Sequence, residues 1–480
     1  MSNSLKTKST KKVDNQKCSL LADTDAAIIG GGVVGCAVAR RLALGGISVI
    51  LLEKASDILE GASKGNSAIL HTGFDAPEGS LELECVRNGY REYLKIRKSL
   101  NLPLLKTGAL IAAWTQDEEE RLPEILEKAV NNGIEDLRQL SRPEILVMEP
   151  NISEKIRAAI AVPNEFVIDP WSAPLAYLTQ AVANGGHVFV NTEVMGGEFF
   201  GDHWILQTNC GSIKAKHVIN CAGLFGDLVD KVVLGQSEFT IKPRKGQFVV
   251  FDKSAGSLVR SIVFPVPTER TKGIVIFPTI FGNLAVGPTA EDQESRNDAS
   301  VDKVILKSLH AKAISRIPAL TNIPVTATYA GIRPASEKKE YRIVNDTERN
   351  WITLGGIRST GLTAALGLAQ YVQKLLEKRG AKFKKLSRPV VPFVPNLAEH
   401  LPRDWQSSGY GEIVCHCEMV TQREICEALK SQVPAANLGG LKRRTRATMG
   451  RCQGFYCSAR LAELTEGRFS ESLAIGTSNG

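Results

Sequence analysis

Ten cysteines lie in this chain of 480 residues, and four of them form two close pairs. Cys415 and Cys417 are separated by His416. After 34 further residues come Cys452 and Cys457, which enclose Gln453-Gly454-Phe455-Tyr456. Four thiolates in two pairs can hold a [2Fe–2S] cluster or a zinc ion. The other cysteines, Cys18, Cys36, Cys85, Cys210, Cys221 and Cys426, are scattered and read as packed or surface thiols. A second constellation stands near the other end. Ala26-Ala27-Ile28-Ile29 runs into Gly30-Gly31-Gly32-Val33-Val34-Gly35, and the next apolar run, Ile47 to Leu52, ends at Glu53. That is a strand, a glycine turn, a helix and a second strand closed by an acid. Gly30 makes the tight turn, Gly32 lets the backbone approach a pyrophosphate, and Gly35 lets the helix pack on the strand. The helix start supplies N–H groups to phosphate, and Glu53 suits a ribose hydroxyl. The unit predicts binding of the adenosine diphosphate half of a dinucleotide.

The elements that must position these residues are legible in outline. A small-residue loop, Gly61 to Ser67, leads into Ala68-Ile69-Leu70-His71-Thr72-Gly73. Helices are predicted around 80–100 and 117–130. Alternating apolar segments from about 186 to 292 predict an antiparallel sheet. Two further glycine turns follow apolar strands, at Asn220–Asp227 and at Gly355–Gly361, the latter leading into a helix from about Leu362. A Pro- and Lys-rich stretch at 379–411 reads as a linker. A small module at 412–470 follows. Thr421-Gln422-Arg423-Glu424 is a capping box that starts a helix just after Cys417. The basic run Lys442-Arg443-Arg444-Thr445-Arg446 suggests either a solvated face or a dock for an acidic electron-transfer partner.

Composition narrows the class. The formal net charge is +8, part of it in a lysine-bearing leader without an apolar core. That leader reads as a disordered basic tail over 1–24 and not as a secretory signal. No apolar run reaches the roughly 18–20 residues of a membrane span. The expected location is the cytoplasm, with peripheral contact at the inner face of the cell membrane compatible. Nucleic-acid binding is disfavoured because no aromatic residues interleave with the basic run.

The three glycine turns, Gly30–Gly35, Asn220–Asp227 and Gly355–Gly361, together resemble the D-amino-acid-oxidase-type FAD-dependent oxidoreductases. The turn Asn66–Gly73 and the segment Tyr329-Ala330-Gly331-Ile332-Arg333-Pro334 are similar to those of the glycerol-3-phosphate dehydrogenase and L-2-hydroxyglutarate oxidase branches. The cysteine module resembles the bacterioferritin-associated-ferredoxin type, as carried by the catalytic subunit of anaerobic glycerol-3-phosphate dehydrogenases. The resemblance implies an α/β fold. A Rossmann-like FAD domain would come from about 25–75, 150–227 and 326–378. An α+β substrate domain at about 76–149 and 228–325 and a small helical cluster domain would complete it, with a tail at 471–480. It implies FAD at Gly30, Gly32, Gly35, Glu53, Lys54, Ser63, Asn66, Ser67, Ala222, Gly223, Gly356, Gly361, Leu362 and Thr363. It implies a [2Fe–2S] cluster on Cys415, Cys417, Cys452 and Cys457.

Flavin chemistry takes a hydride from a C–H bond beside a hydroxyl or amine, and the protein supplies a base and an anion clamp. The resemblance points to His71 as the base and to Arg333 as the clamp, because a guanidinium matches phosphate or carboxylate with two parallel hydrogen bonds. Lys245 is a weaker substrate contact. The expected reaction is oxidation of sn-glycerol 3-phosphate, with electrons leaving through the cluster to a carrier protein or quinone-linked subunit. Phosphate-binding relatives follow the histidine turn with Arg-Tyr, whereas this chain reads Phe74-Asp75. That departure keeps L-2-hydroxyglutarate as the second substrate. An amino-acid dehydrogenase subunit is the third reading, and a non-catalytic redox module is the alternative outside enzymes.

Overall fold

The computed structural model describes residues 20–267, 273–469 and 471–473. Cys18 and most of the expected basic tail lie outside the described residues. The first strand, Leu20–Ile29, begins inside the span expected as tail.

Its apolar run is buried on both faces, as a parallel strand between helical and sheet layers must be. It pairs in parallel with Val49–Leu52 on one side and Gly211–Asn220 on the other. His187–Phe189 extends the parallel sheet beyond Val49–Leu52, and Trp351–Gly355 extends it beyond Gly211–Asn220. Helices Val33–Leu44, Ser172–Ala183 and Gly361–Lys378 pack together on one face. The other face is covered around Trp204 and Trp351, whose rings meet edge-on at 5.2 Å.

The second sheet is mainly antiparallel, with strand Ile241–Phe251 paired along most of its length with Val325–Ser336. Two boundaries differ from expectation. Val325–Ser336, expected with the dinucleotide-binding segments, is hydrogen-bonded into the second sheet. Helix Leu81–Ile96, expected in the substrate domain, packs along Gly361–Lys378. The alternating stretch from 186 is also divided. His187–Phe189 joins the first sheet in parallel, while the strands from Ile241 onward build the second. Alternation reports a half-buried strand, and long-range pairing decides its sheet.

The stretch 379–411 is a strap and not a free tether. Lys384 and Leu386 donate backbone hydrogen bonds to Gly45 and Leu44, and Val394, Leu397 and Ala398 are buried against the body. It leads to hairpin strands Ile413–Cys415 and Val420–Thr421 and helices Gln422–Lys430, Leu438–Thr445 and Ser458–Leu464. The capping box at Thr421 is formed, with both reciprocal hydrogen bonds present.

Candidate functional site

The glycine turn is shaped as a cradle. Gly30 has φ +108°, and a Cβ there would meet the Cys221 carbonyl oxygen at 2.7 Å. A Cβ on Gly32 would meet only the Ser63 hydroxyl, at 3.2 Å, so the helix start is open toward that side. Helix Val33–Leu44 has no capping side chain of its own and no acid in its first turn. Ser63 reaches in from the following loop instead and accepts from Val33 N at 3.0 Å. Such a helix start suits an anion. Glu53 accepts from Gly31 N at 2.7 Å and Ala55 N at 2.9 Å, which fixes its carboxylate beside the turn. Burial raises its pKa in spite of those donors. The exposed Lys54 places its ammonium 3.3 Å from the centroid of Phe225, which follows Ala222 and Gly223 in the second glycine turn. These residues fit the adenosine diphosphate half of FAD.

The loop after Ser63 is tied to both sheets. Asn66 folds onto its own loop, donating to Ser63 O and accepting from Ala68 N. Ser67 is half-buried beside it. Tyr329 donates its phenol to Asn66 O at 3.0 Å, so the strand carrying Arg333 lies against this loop. The third glycine turn joins through Thr363, which accepts from His71 N at 3.0 Å and donates to Ile69 O. Gly356 lies in that turn with φ +67°, and Gly361, Leu362 and Thr363 open the helix behind it.

His71 is gripped by a residue that sequence reasoning missed. Glu165 is fully buried and its Oε2 lies 3.1 Å from His71 Nδ1. Its other oxygen accepts from Thr72 N and the Thr72 hydroxyl, at 2.6 and 2.7 Å. A carboxylate at Nδ1 favours the tautomer with the proton there and leaves Nε2 as the basic nitrogen. No partner for Nε2 is found among the described residues. Glu165 sits in the turn between strands Ala158–Val162 and Phe166–Ile168, and no sequence motif near it marks a partner 94 positions away.

Arg333 is mostly desolvated yet has no carboxylate partner among the described residues. It donates to the Thr289 carbonyl at 2.8 Å. Burial, reinforced by nearby Arg244 and Arg358 and only partly opposed by Glu291, pushes its pKa down to about 10, so it stays charged at neutral pH. Arg244 is taken by Asp292 and Lys245 by Asp298. Lys245 is therefore already engaged, whereas the Arg333 fork retains donors for an anion.

The four module cysteines come together in space. Cys417 and Cys452 lie near enough to perturb each other's ionisation, as do Cys415 and Cys457. Backbone N–H of Tyr456, with those of Gly454 and Phe455, draws the Cys452 thiol below its usual pKa. Among the described residues no three donors close around one ion. Two neighbouring pairs suit a two-iron group. Cys426 lies off this set, half-buried on its helix.

The basic run is not a docking face for an outside partner. Arg443, Arg444 and Arg446 are buried, and only Lys442 remains partly open. Arg444 grips Asp57 with two hydrogen bonds of 2.9 and 2.8 Å, and Arg443 reaches Glu60 at 2.6 Å. Asn437 donates to Ser56 and Glu60. The run seats the cysteine module on the segment just after Glu53.

Comparison with known proteins agrees with this geometry. Residues 25–375 match the family described as FAD dependent oxidoreductase, and residues 413–466 match the BFD-like [2Fe-2S] binding domain. A glycerol 3-phosphate dehydrogenase of Caloramator mitchellensis is 33% identical over 451 residues, covering 92% of this chain and 93% of the relative. An L-2-hydroxyglutarate dehydrogenase of Indibacter alkaliphilus is 29% identical over 56% of this chain and 68% of its own length. Among solved structures, the dithionite-reduced L-alpha-glycerophosphate oxidase of Mycoplasma pneumoniae with FAD bound is 29% identical. It superposes with a TM-score of 0.71 over 76% of this chain and 97% of its own.

Proposed function

This chain belongs to the FAD-dependent oxidoreductase family, and on that footing we propose that it oxidises sn-glycerol 3-phosphate to dihydroxyacetone phosphate. FAD and a C-terminal [2Fe–2S] cluster are its cofactors. The observation that carries the reading is coverage. Similarity to a glycerol 3-phosphate dehydrogenase covers 92% of the chain, through both modules, whereas similarity to hydroxyglutarate dehydrogenases covers 55% to 71% of it.

Bound flavin supplies the hydride acceptor. Arg333 receives the phosphate through charge-assisted hydrogen bonds and sets the alcohol carbon in place. His71 Nε2 takes the hydroxyl proton as the hydride departs, and Glu165 stabilises the imidazolium that forms. Cys415, Cys417, Cys452 and Cys457 would hold the cluster, which would hand electrons to a carrier protein or quinone-linked subunit. Among the described residues no helix is long and apolar enough to cross a membrane.

Anaerobic mixing tests the substrate. Glycerol 3-phosphate is expected to bleach the flavin absorbance faster than L-2-hydroxyglutarate does. Bleaching by the hydroxy acid alone would make Phe74-Asp75, in place of Arg-Tyr, the better guide and reject the phosphate reading.

A further inference from the structure

Three side chains run without a break from the loop beside the glycine turn to the cysteine module. Trp171 donates its indole N–H to Lys64 O at 3.1 Å, inside the loop that carries Ser63 and Asn66. Its ring stacks on Phe281, with centroids 5.4 Å apart and planes 13° from parallel. The Arg446 guanidinium lies over the same Phe281 ring, 4.0 Å from its centroid. Arg446 in turn donates to Glu418 at 2.8 Å, and Glu418 follows Cys417 directly in the chain. Phe281, Arg446 and Glu418 are buried, and Trp171 is half-buried.

The ion pairs at Asp57 and Glu60 already seat the module. The stacked run lies between the cysteines and the loop expected to touch the flavin. We propose that Trp171, Phe281 and Arg446 form the electron bridge from flavin to cluster within one chain, an inference that rests on the cofactor reading above. Two electrons reach the flavin with the substrate hydride, and the proton of the hydroxyl goes to His71. A [2Fe–2S] cluster accepts one electron at a time, so the electrons cross singly. An external one-electron acceptor empties the cluster between crossings. Electronic coupling survives better through packed atoms in contact than across a void, and this run keeps the space filled.

The test uses full-length protein carrying both cofactors, mixed anaerobically with glycerol 3-phosphate. Flavin absorbance reports hydride transfer, and freeze-quenched paramagnetic resonance reports the reduced cluster. Phe281→Leu is expected to bleach as wild type does but to slow cluster reduction on the order of tenfold, because the lost ring leaves a gap that its surroundings only partly close. Phe281→Tyr restores a ring and is expected to restore the rate. Trp171→Leu is expected to repeat the slowing at a more open position. Protease resistance of the strap 379–411 and an unchanged cluster midpoint potential separate a bridge from a merely structural role. Docked variants that reduce the cluster at the wild-type rate would overturn the bridge. So would a cluster-reduction rate that rises with protein concentration, since the electrons would then be crossing between molecules. Reducing the flavin with light and EDTA repeats the measurement without substrate, so a wrong substrate assignment and a wrong bridge give different results.

Discussion

Arg333, the proposed anion clamp, donates to one backbone carbonyl and forms no ion pair among the described residues. At the interface with the cysteine module, Arg444 is bidentate to Asp57 and also donates to the carbonyls of Val433, Pro434 and Gly440. Arg444 is buried, and Arg333 is half-buried with its charge largely desolvated. One is spent on holding two parts of the chain together, and the other keeps one hydrogen bond to the Thr289 carbonyl and the pull of nearby Glu291. A buried charge kept without a partner is a mark of ligand binding, and a fully paired one is a mark of architecture. Two arginines from motif-bearing segments therefore separate into function and scaffold only once their partners are counted.

The sharpest test of that contrast is at Asp57. Asp57→Ala leaves Arg444 buried and unpaired, which costs about 3–5 kcal/mol. The strap 379–411 should become cleavable by protease, while flavin bleaching by substrate survives. Asp57→Leu combined with Arg444→Met removes both charges and should cost much less. Equal damage from the single and double changes would show that the pair does not seat the module.

At the histidine, Glu165→Gln keeps the shape and removes the charge that supports an imidazolium. Turnover should drop by about a hundredfold, the lower end of general-base contributions, with FAD content unchanged. A variant that bleaches as fast as wild type would remove His71 from the proton path.

Arg333→Ala should reduce turnover of the anionic substrate by roughly tenfold or more, the equivalent of a charged hydrogen bond worth about 1.5–3 kcal/mol. Unlike Asp57→Ala it should leave the melting temperature unchanged or raised, because a desolvated charge is removed. Arg333→Lys should recover only part of the rate, since a point charge does not reproduce the fork. A marked loss of melting temperature in Arg333→Ala would collapse the contrast between the two arginines.

The smallest effect concerns acid. Burial works against the Glu418 carboxylate, but Arg446 and Lys253 outweigh it and hold its pKa below the usual range. Arg443 and Lys64 do the same for Glu60. For groups whose folded pKa is depressed, the stabilisation is complete above the unfolded value and is lost as pH falls through the folded one. Module docking should therefore be constant from neutral pH down to the ordinary carboxylate range and weaken only below it. Protease sensitivity of the strap against pH measures this, and weakening near neutrality would contradict it.

Part of this was legible in one dimension. The glycine turn with Glu53, the two later glycine turns and the paired cysteines are short-range patterns, because backbone approach, helix starts and metal ligation act over a few residues. The capping box at Thr421 is equally local. The sequence therefore determined the two cofactors and the parallel unit that begins at the first strand. What it left open depended on residues far apart in the chain. Glu165 meets His71 through a separate strand pairing. Arg444 meets Asp57 across 387 positions, which turned an apparent docking face into a buried joint, and the strap lost its freedom to contacts with Gly45 and Asn184. Charge patterns name the groups that can pair, but burial and distance choose the partner. Only the tertiary structure decided that Arg444 is satisfied from within the chain while Arg333 retains donors for an anion.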